Sequence, residues 1–177
     1  MILEKKNIVL VGMTGVGKTT IGKILSKNLK RKFIDIDFEI EKVSGEKIHN
    51  FFENFGEEEF RRIEKKILTK SLIENVNSII STGAGVLADK ENFDIIKKKS
   101  ISIFLDINLS NLVERLSNNT RNRPKLNFGN LRKNLEKMYE NRKENYNRSD
   151  IKILVDGIST NDITQKIINK LTQYEEN

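Results

Sequence analysis

Residues 12–19 read Gly12-Met13-Thr14-Gly15-Val16-Gly17-Lys18-Thr19, which satisfies the P-loop pattern G-x-x-x-x-G-K-[ST]. Glycine lets the backbone turn tightly and come close to phosphate, so that successive N–H groups and the N-terminus of the next helix donate to it. Lys18 would neutralise the β- and γ-phosphates, and Thr19 would offer its hydroxyl to Mg2+. The flanks fit, because an apolar run at 8–11 precedes the motif and the helical spacing of Ile21 and Ile24 follows it. Nucleoside triphosphate binding follows. A P-loop alone serves a GTPase, an ATPase, a nucleotide kinase or a metabolite kinase equally well.

The acceptor side has its own candidates. Phe33-Ile34-Asp35-Ile36-Asp37 closes the second strand candidate with two carboxylates on one face, if the strand stays extended. Phosphoryl transfer to an alcohol needs one carboxylate near Mg2+ and one against the acceptor hydroxyl, which must be oriented and must lose its proton. A plain strand-end turn is the other reading of such a pair. Farther on, Arg61 and Glu64 are neighbours on a helix, so Glu64 can hold the guanidinium as a carboxylate clamp; an exposed ion pair has the same spacing. Ser81-Thr82-Gly83-Ala84-Gly85 makes a second Gly-rich turn, whose small residues let backbone N–H groups reach a ligand.

Groups so far apart in sequence need a sheet to gather them. Strand candidates at 7–11, 32–36, 78–82, 100–106 and 151–156 alternate with helical stretches, the pattern of a parallel sheet covered on both faces, a three-layer α/β/α fold. Buried stripes are expected from Ile21, Ile24, Leu25 and Leu29, from Phe60, Ile63, Ile67 and Leu72, and from Ile163, Ile167, Ile168 and Leu171. The last of these helices, opened by Thr160 or Asn161, is expected to pack on the sheet without chemistry. Residues 118–130, rich in Asn and Arg and holding Pro124, read as an exposed loop. The sole histidine, His49, reads as a surface residue.

At 177 residues the chain suits a single domain. With 37% apolar and 32% charged residues it has both a core and a soluble surface. The absence of cysteine excludes disulfides and thiolate chemistry. The net charge of +7 favours anionic ligands, yet aromatics interleaved with arginine, as in a nucleic-acid groove, are missing. No apolar run approaches the roughly 20 residues that span a bilayer. Glu4, Lys5 and Lys6 stand where a signal peptide would be apolar. We therefore expect a cytoplasmic protein with neither nucleic acid nor membrane as partner.

Taken in order, these motifs resemble those of the shikimate kinase family: the P-loop, Asp35/Asp37, Gly56-Glu57 through Phe60-Arg61 to Glu64, the turn at 83–85, Arg123-Pro124, and Arg142 with Tyr146. The resemblance covers roughly residues 7–156. It implies a P-loop kinase of the nucleoside-monophosphate-kinase type with strand order 2-3-1-4-5, a lid at 118–130, and a small helical shikimate-binding subdomain at 37–63. The implied reaction moves the γ-phosphoryl group of ATP to the 3-hydroxyl of shikimate, with Mg2+, in aromatic amino-acid biosynthesis, and the chain would act as a monomer.

By resemblance, Lys18, Asp37 and Arg123 are the catalytic residues, with Asp37 orienting or deprotonating the hydroxyl and Arg123 stabilising charge on the transferred group. Gly12, Gly15, Val16, Gly17, Lys18, Thr19, Thr20 and Arg123 would contact the nucleotide. Asp37, Arg61, Gly83, Ala84, Gly85 and Arg142 would contact shikimate, the arginines because their planar fork pairs with a carboxylate. Thr19 and Asp35 would serve the metal, the latter through water, as would Ser81.

Two departures stand out. Ala84 replaces the middle glycine of the family's triplet, and it would strain the backbone if its φ were positive. Residues 156–161 lack the arginine that often stacks on adenine in the family, leaving Arg115 as a candidate. A gluconate or nucleoside-monophosphate kinase would share the P-loop but not Arg61 and Arg142 together with Asp37. A catalytically silent relative is the alternative of another class, and a GTPase would show an N-K-x-D motif, which is absent.

Overall fold

Apolar and β-branched side chains run through Asn7–Val11 (β1), Ser78–Ser81 (β3) and Ser100–Asp106 (β4), nearly all of them buried. Strands without a polar face must be covered on both sides, as in a parallel sheet. Lys32–Asp35 (β2) and Ile151–Leu154 (β5) complete it. In this computed structural model, which describes residues 6–117 and 130–176, all four pairings are parallel and the order is β2-β3-β1-β4-β5. That is the order the family resemblance implies. Of the lid candidate at 118–130, residues 118–129, with Arg123 and Pro124, lie outside the described residues.

Eight helices among the described residues connect and cover the strands: Lys18–Leu29 (α1), Ile36–Ser44 (α2), Ile48–Glu74 (α3), Lys90–Lys99 (α4), Leu109–Ser117 (α5), Leu131–Glu140 (α6), Lys143–Asn147 (α7) and Thr160–Glu176 (α8). Helix α1 packs with α8, and α3 with α4 and α2. None of them is long and apolar enough to cross a membrane.

Three sequence expectations change. First, β2 stops at Asp35, because the Asp35 carboxylate caps α2 by accepting from the Phe38 N–H at 3.2 Å. Asp35 and Asp37 are therefore a helix cap and a first-turn residue, not alternate residues of a strand.

Second, the inward stripe of α3 is Phe60, Glu64, Leu68 and Leu72, with Ile63 and Ile67 only partly buried. A carboxylate thus occupies an apolar position. Gly56 breaks this helix, its φ of 78° lying where only glycine is at ease, and so Phe60 and Arg61 start a new helical segment.

Third, α8 is capped by Ser159, whose Oγ accepts from the Asp162 N–H at 3.2 Å. Its first turn reaches the nucleotide cleft, where no chemistry was expected. His49 is exposed, as expected.

Candidate active site

The register of the sheet brings the candidates to one edge. Asp35 and Leu10 both stand beside Ser81, so the ends of β2, β3 and β1 open together into the P-loop. Gly12 leaves β1 with φ 141° so close to β4 that a Cβ there would lie 2.6 Å from the Leu105 carbonyl oxygen; no other residue fits. Gly15 and Gly17 also hold positive φ, and Gly17 delivers the chain into α1. Lys18 is nearly buried, its Nζ donating to the carbonyls of Gly12 and Met13 at 2.8 and 2.9 Å. A cleft of about 400 Å³ opens over this loop, large enough for a nucleotide. Gly15, Val16, Gly17, Lys18, Thr19 and Thr20 form its floor.

One end of the cleft is lined by Arg115 from α5 and by Ile158, Thr160 and Ile163 around the start of α8. Arg115 also donates to the Val16 carbonyl at 3.2 Å. Sequence reasoning named Arg115 but missed the other three, because the family arginine sought at 156–161 is replaced by an apolar wall. Asp37, Ser81, Thr82 and Ala84 also line the cleft.

The Thr19 hydroxyl donates to Asp35 Oδ2 at 2.6 Å. A hydroxyl beside a carboxylate is a hard-oxygen donor set, which suits Mg2+ held chiefly by nucleotide phosphates and water. Among the described residues no three His, Cys, Asp or Glu side chains gather to hold a metal by themselves, so such an ion would come with the nucleotide.

Past Asp37 the chemistry changes from phosphate to acceptor. Asp37 Oδ1 is sealed from solvent and accepts no hydrogen bond. Burial first, then the nearby charges of Asp35 and Glu64, push its pKa up to about 6, against the pull of Lys18 and Arg61. An acid poised there is ionised at neutral pH yet still basic enough to take a proton.

Glu64 is fully buried and bonds Arg61 at 2.6 Å, while its Oε1 is left without a partner. Burial raises its pKa, opposed by Arg61 and by Arg142. Arg61 is held charged by Glu64 and by Glu57 at 3.1 Å, which outweigh its own desolvation. Arg142 stands at the N-cap position of α7, where its backbone carbonyl accepts from the Tyr146 N–H at 3.0 Å. The charges of both arginines bear on Glu64 and on Tyr146, although they lie far apart in sequence.

The turn at 83–85 fits between these groups. A Cβ on Gly83 would lie 2.5 Å from Glu64 Oε1 and 3.2 Å from Asp37 Oδ1, and one on Gly85 2.5 Å from Arg61 Nη2. Only the middle position has room for a side chain, and Ala84 fills it. The sole positive-φ residues other than glycine among those described are Lys30 and Asn77, so Ala84 carries no backbone strain.

Residues 14–172 match the family model described as Shikimate kinase. The chain belongs to the shikimate kinase family. It is 39% identical over 166 residues to the shikimate kinase of Persephonella marina, covering 94% of this chain and 99% of that one. Identity to the Sulfurihydrogenibium shikimate kinase is 37% over 169 residues, 94% of this chain and 98% of the relative. The structure of Acinetobacter baumannii shikimate kinase in complex with shikimate superposes with a TM-score of 0.91 at 30% identity, over 96% of this chain and 94% of that one. A gluconokinase from Sinorhizobium meliloti aligns over 97% of this chain and 94% of its own, with a TM-score of 0.60 at 15% identity, a likeness of fold alone.

As a shikimate kinase, the chain is an ATP-dependent phosphotransferase that acts on the 3-hydroxyl of shikimate. The structure brings together the residues expected around the nucleotide and those expected around the acceptor, apart from Arg123, which lies outside the described residues. Two features are not evident in the sequence. The spacing of Glu64 from Arg61 fits an exposed pair, although Glu64 also falls four residues from both Phe60 and Leu68 in the buried stripe. Tyr146 stands beside Arg142 in the motif order with no role of its own, and it proves to be 1% exposed.

Proposed function

We propose that shikimate occupies the space between Asp37 and the arginines, its carboxylate paired with Arg61 and Arg142 beside the Gly85 backbone and its ring hydroxyls turned to Asp37. Residues 37–63 act as the subdomain that holds it. Asp37 accepts the proton of the 3-hydroxyl as that oxygen attacks the γ-phosphorus. The bond from the γ-phosphorus to the β–γ bridging oxygen breaks, and ADP leaves. Lys18 and the P-loop N–H groups hold the phosphates in line, a matter of positioning and charge stabilisation. Thr19 and Asp35 are the residues that would hold Mg2+, which supplies charge neutralisation on the β- and γ-phosphates. Arg123 is assigned, by resemblance, to charge on the transferred group. The chain works as a monomer in the cytoplasm.

The observation that carries this reading is the sealed, unpartnered Asp37 oxygen, set between the P-loop lysine Lys18 and Arg61. Recording ADP release with shikimate, gluconate and nucleoside monophosphates in parallel, with and without a Mg2+ chelator, tests it. Turnover only with shikimate, abolished by the chelator, is the expected result. Turnover with gluconate instead, or activity indifferent to the chelator, would reject it.

A further inference from the structure

Residues 83–86 form a β-turn, closed by the Val86 N–H donating to the Gly83 carbonyl at 3.3 Å. Gly85, its third residue, has φ −97° and ψ 2°, close to the values of about −90° and 0° that mark a type I turn. Rotating the central peptide, the one that joins Ala84 to Gly85, by half a turn gives the type II form, in which the third residue takes φ of about +80°. Glycine adopts either. It stands here for the room it leaves, since a Cβ would lie 2.5 Å from Arg61 Nη2, and that same freedom lets the peptide flip.

The flip has a chemical consequence. A trans peptide is planar, with its carbonyl and its N–H on opposite sides. One form therefore offers the acceptor a hydrogen-bond donor where the other offers a carbonyl oxygen, which repels a carboxylate.

Other contacts fix the ends of the turn. The Thr82 N–H and hydroxyl both donate to the Leu10 carbonyl, at 3.3 and 2.9 Å, and the Asn92 side chain donates to the Val86 carbonyl at 3.2 Å. The central peptide is held from 62 residues farther on, where the Tyr146 hydroxyl donates to the Ala84 carbonyl at 2.5 Å. A phenol has one proton to give, and the Met13 sulfur, 3.9 Å from the hydroxyl, is the weaker acceptor. The ring is itself fixed, 1% exposed and stacked on Phe104 of β4 with 4.9 Å between centroids and 22° between planes. Burial pushes the Tyr146 pKa up to about 12, so the proton stays in place.

We propose that Tyr146 is a positioning residue for the acceptor: by holding the Ala84 carbonyl it keeps the turn in its type I form and aims the Gly85 N–H at the shikimate carboxylate. It acts through that peptide and touches neither substrate. The inference rests on the proposed seat of the carboxylate beside the Gly85 backbone. It also gives the middle residue of the Gly-rich turn a task that glycine and alanine perform equally, because the group used is the backbone carbonyl.

The sequence has two alanines, Ala84 and Ala88, and only the first precedes a glycine. Protein labelled with 13C-carbonyl alanine and 15N-glycine therefore gives a single carbonyl–amide correlation by NMR, that of this peptide. In the parent, saturating shikimate should move the Gly85 amide proton downfield, the sign of a new bond to an anion. Tyr146→Phe keeps the ring stack and removes only the hydroxyl. In this variant the Ala84 carbonyl carbon should move upfield and the response of the amide to shikimate should shrink. Its KM for shikimate should rise about tenfold, the scale of a hydrogen bond to a charged group, with the KM for ATP within about twofold. A parent Gly85 amide that ignores shikimate, or a Y146F protein with an unmoved carbonyl signal and an unchanged KM, overturns the inference. So does an equal rise in both KM values, which marks a purely structural tyrosine.

Arg61→Ala tests the underlying reading separately. If it raises the KM for shikimate while the parent Gly85 amide does not respond, the arginine pairing stands and the role of the peptide falls. If it leaves that KM unchanged, the pairing fails and takes the inference with it. Replacing tyrosine with 3-fluorotyrosine covers the case in which Y146F does not fold. The fluorine makes the phenol a stronger donor with its reach unchanged, so the Ala84 carbonyl carbon should move downfield, and an unmoved carbonyl overturns the inference.

Discussion

Replacing Asp37 with asparagine should make the protein slower and more stable at once. The stability gain follows from the sealed carboxylate. Its proton is bound more tightly in the folded chain, where burial and the charges of Asp35 and Glu64 lift the pKa to about 6, than in the unfolded chain, where the ordinary value is near 3.8. An acid with a raised folded pKa favours the folded state most when both states are protonated, below about pH 4. That contribution is lost as pH rises towards 6, and above 6 the full penalty stands. At about 1.4 kcal/mol per pH unit the penalty is about 3 kcal/mol.

The asparagine side chain carries no charge to desolvate, so Asp37→Asn should raise the unfolding free energy at pH 7.5 by up to that amount. The melting temperature should rise by several degrees, since a chain of this size gains about 2–4 °C per kcal/mol. At pH 4 and below the variant and the parent should melt together. Shikimate-dependent turnover should fall about 10²- to 10⁴-fold, the range associated with acid–base assistance. Thermal or urea unfolding at the two pH values, beside the ADP-release assay, measures all of this. A variant no more stable than the parent at pH 7.5, or equally stabilised at both pH values, would show that the Asp37 charge is not strained by its surroundings. Near-normal turnover would remove it as the base.

The same ionisation should govern the wild-type rate: kcat/KM for shikimate falls with unit slope below about pH 6, reaching about a tenth of its plateau at pH 5, and a profile flat to pH 5 contradicts the raised pKa. Gly85→Ala puts a methyl group 2.5 Å from Arg61 Nη2, so the guanidinium must move. Its KM for shikimate should rise about tenfold, on the scale of one charged hydrogen bond, with the KM for ATP unchanged; equal effects on both substrates would mean a general loss of structure. Ala84→Gly relieves no strain, because Ala84 does not have a positive φ. It should therefore destabilise the chain by about 0.4–1 kcal/mol through the freer unfolded state; a gain in stability on urea unfolding would show that the alanine is strained after all.

The sheet was legible because its three inner strands, β1, β3 and β4, are apolar on both faces, a local pattern that survives into the folded chain, with the ends of all five shifted by at most two residues. The P-loop was legible for the same reason, since loop, strand and helix are contiguous. Asp35 and Asp37 were identified but misplaced. A carboxylate that could continue a strand or cap a helix does whichever the next residues allow, and here the Phe38 N–H settled it in favour of the cap. What local pattern could not show was that the charge of Arg142 bears on Glu64, the partner of Arg61. That depends on how α7 is carried back over the turn at 83–85, a matter of tertiary packing.

Glu64 ties the missed geometry to the chemistry. A carboxylate in the apolar stripe of a helix is costly unless it is paired, and Arg61 and Arg142 both lower that cost. Glu57, the other partner of Arg61, is 59% exposed and screened by water, so the buried Glu64 is the acid that chiefly orients the guanidinium. Without Glu64 the arginines would repel each other and hold solvent anions between substrates. With it, Arg61 is already oriented when the acceptor arrives. The Gly83 backbone passes so close to Glu64 Oε1 and Asp37 Oδ1 that a side chain there would push both acids aside. The glycine is needed for the space it leaves, which is why the turn tolerates alanine at 84 but not on either side of it.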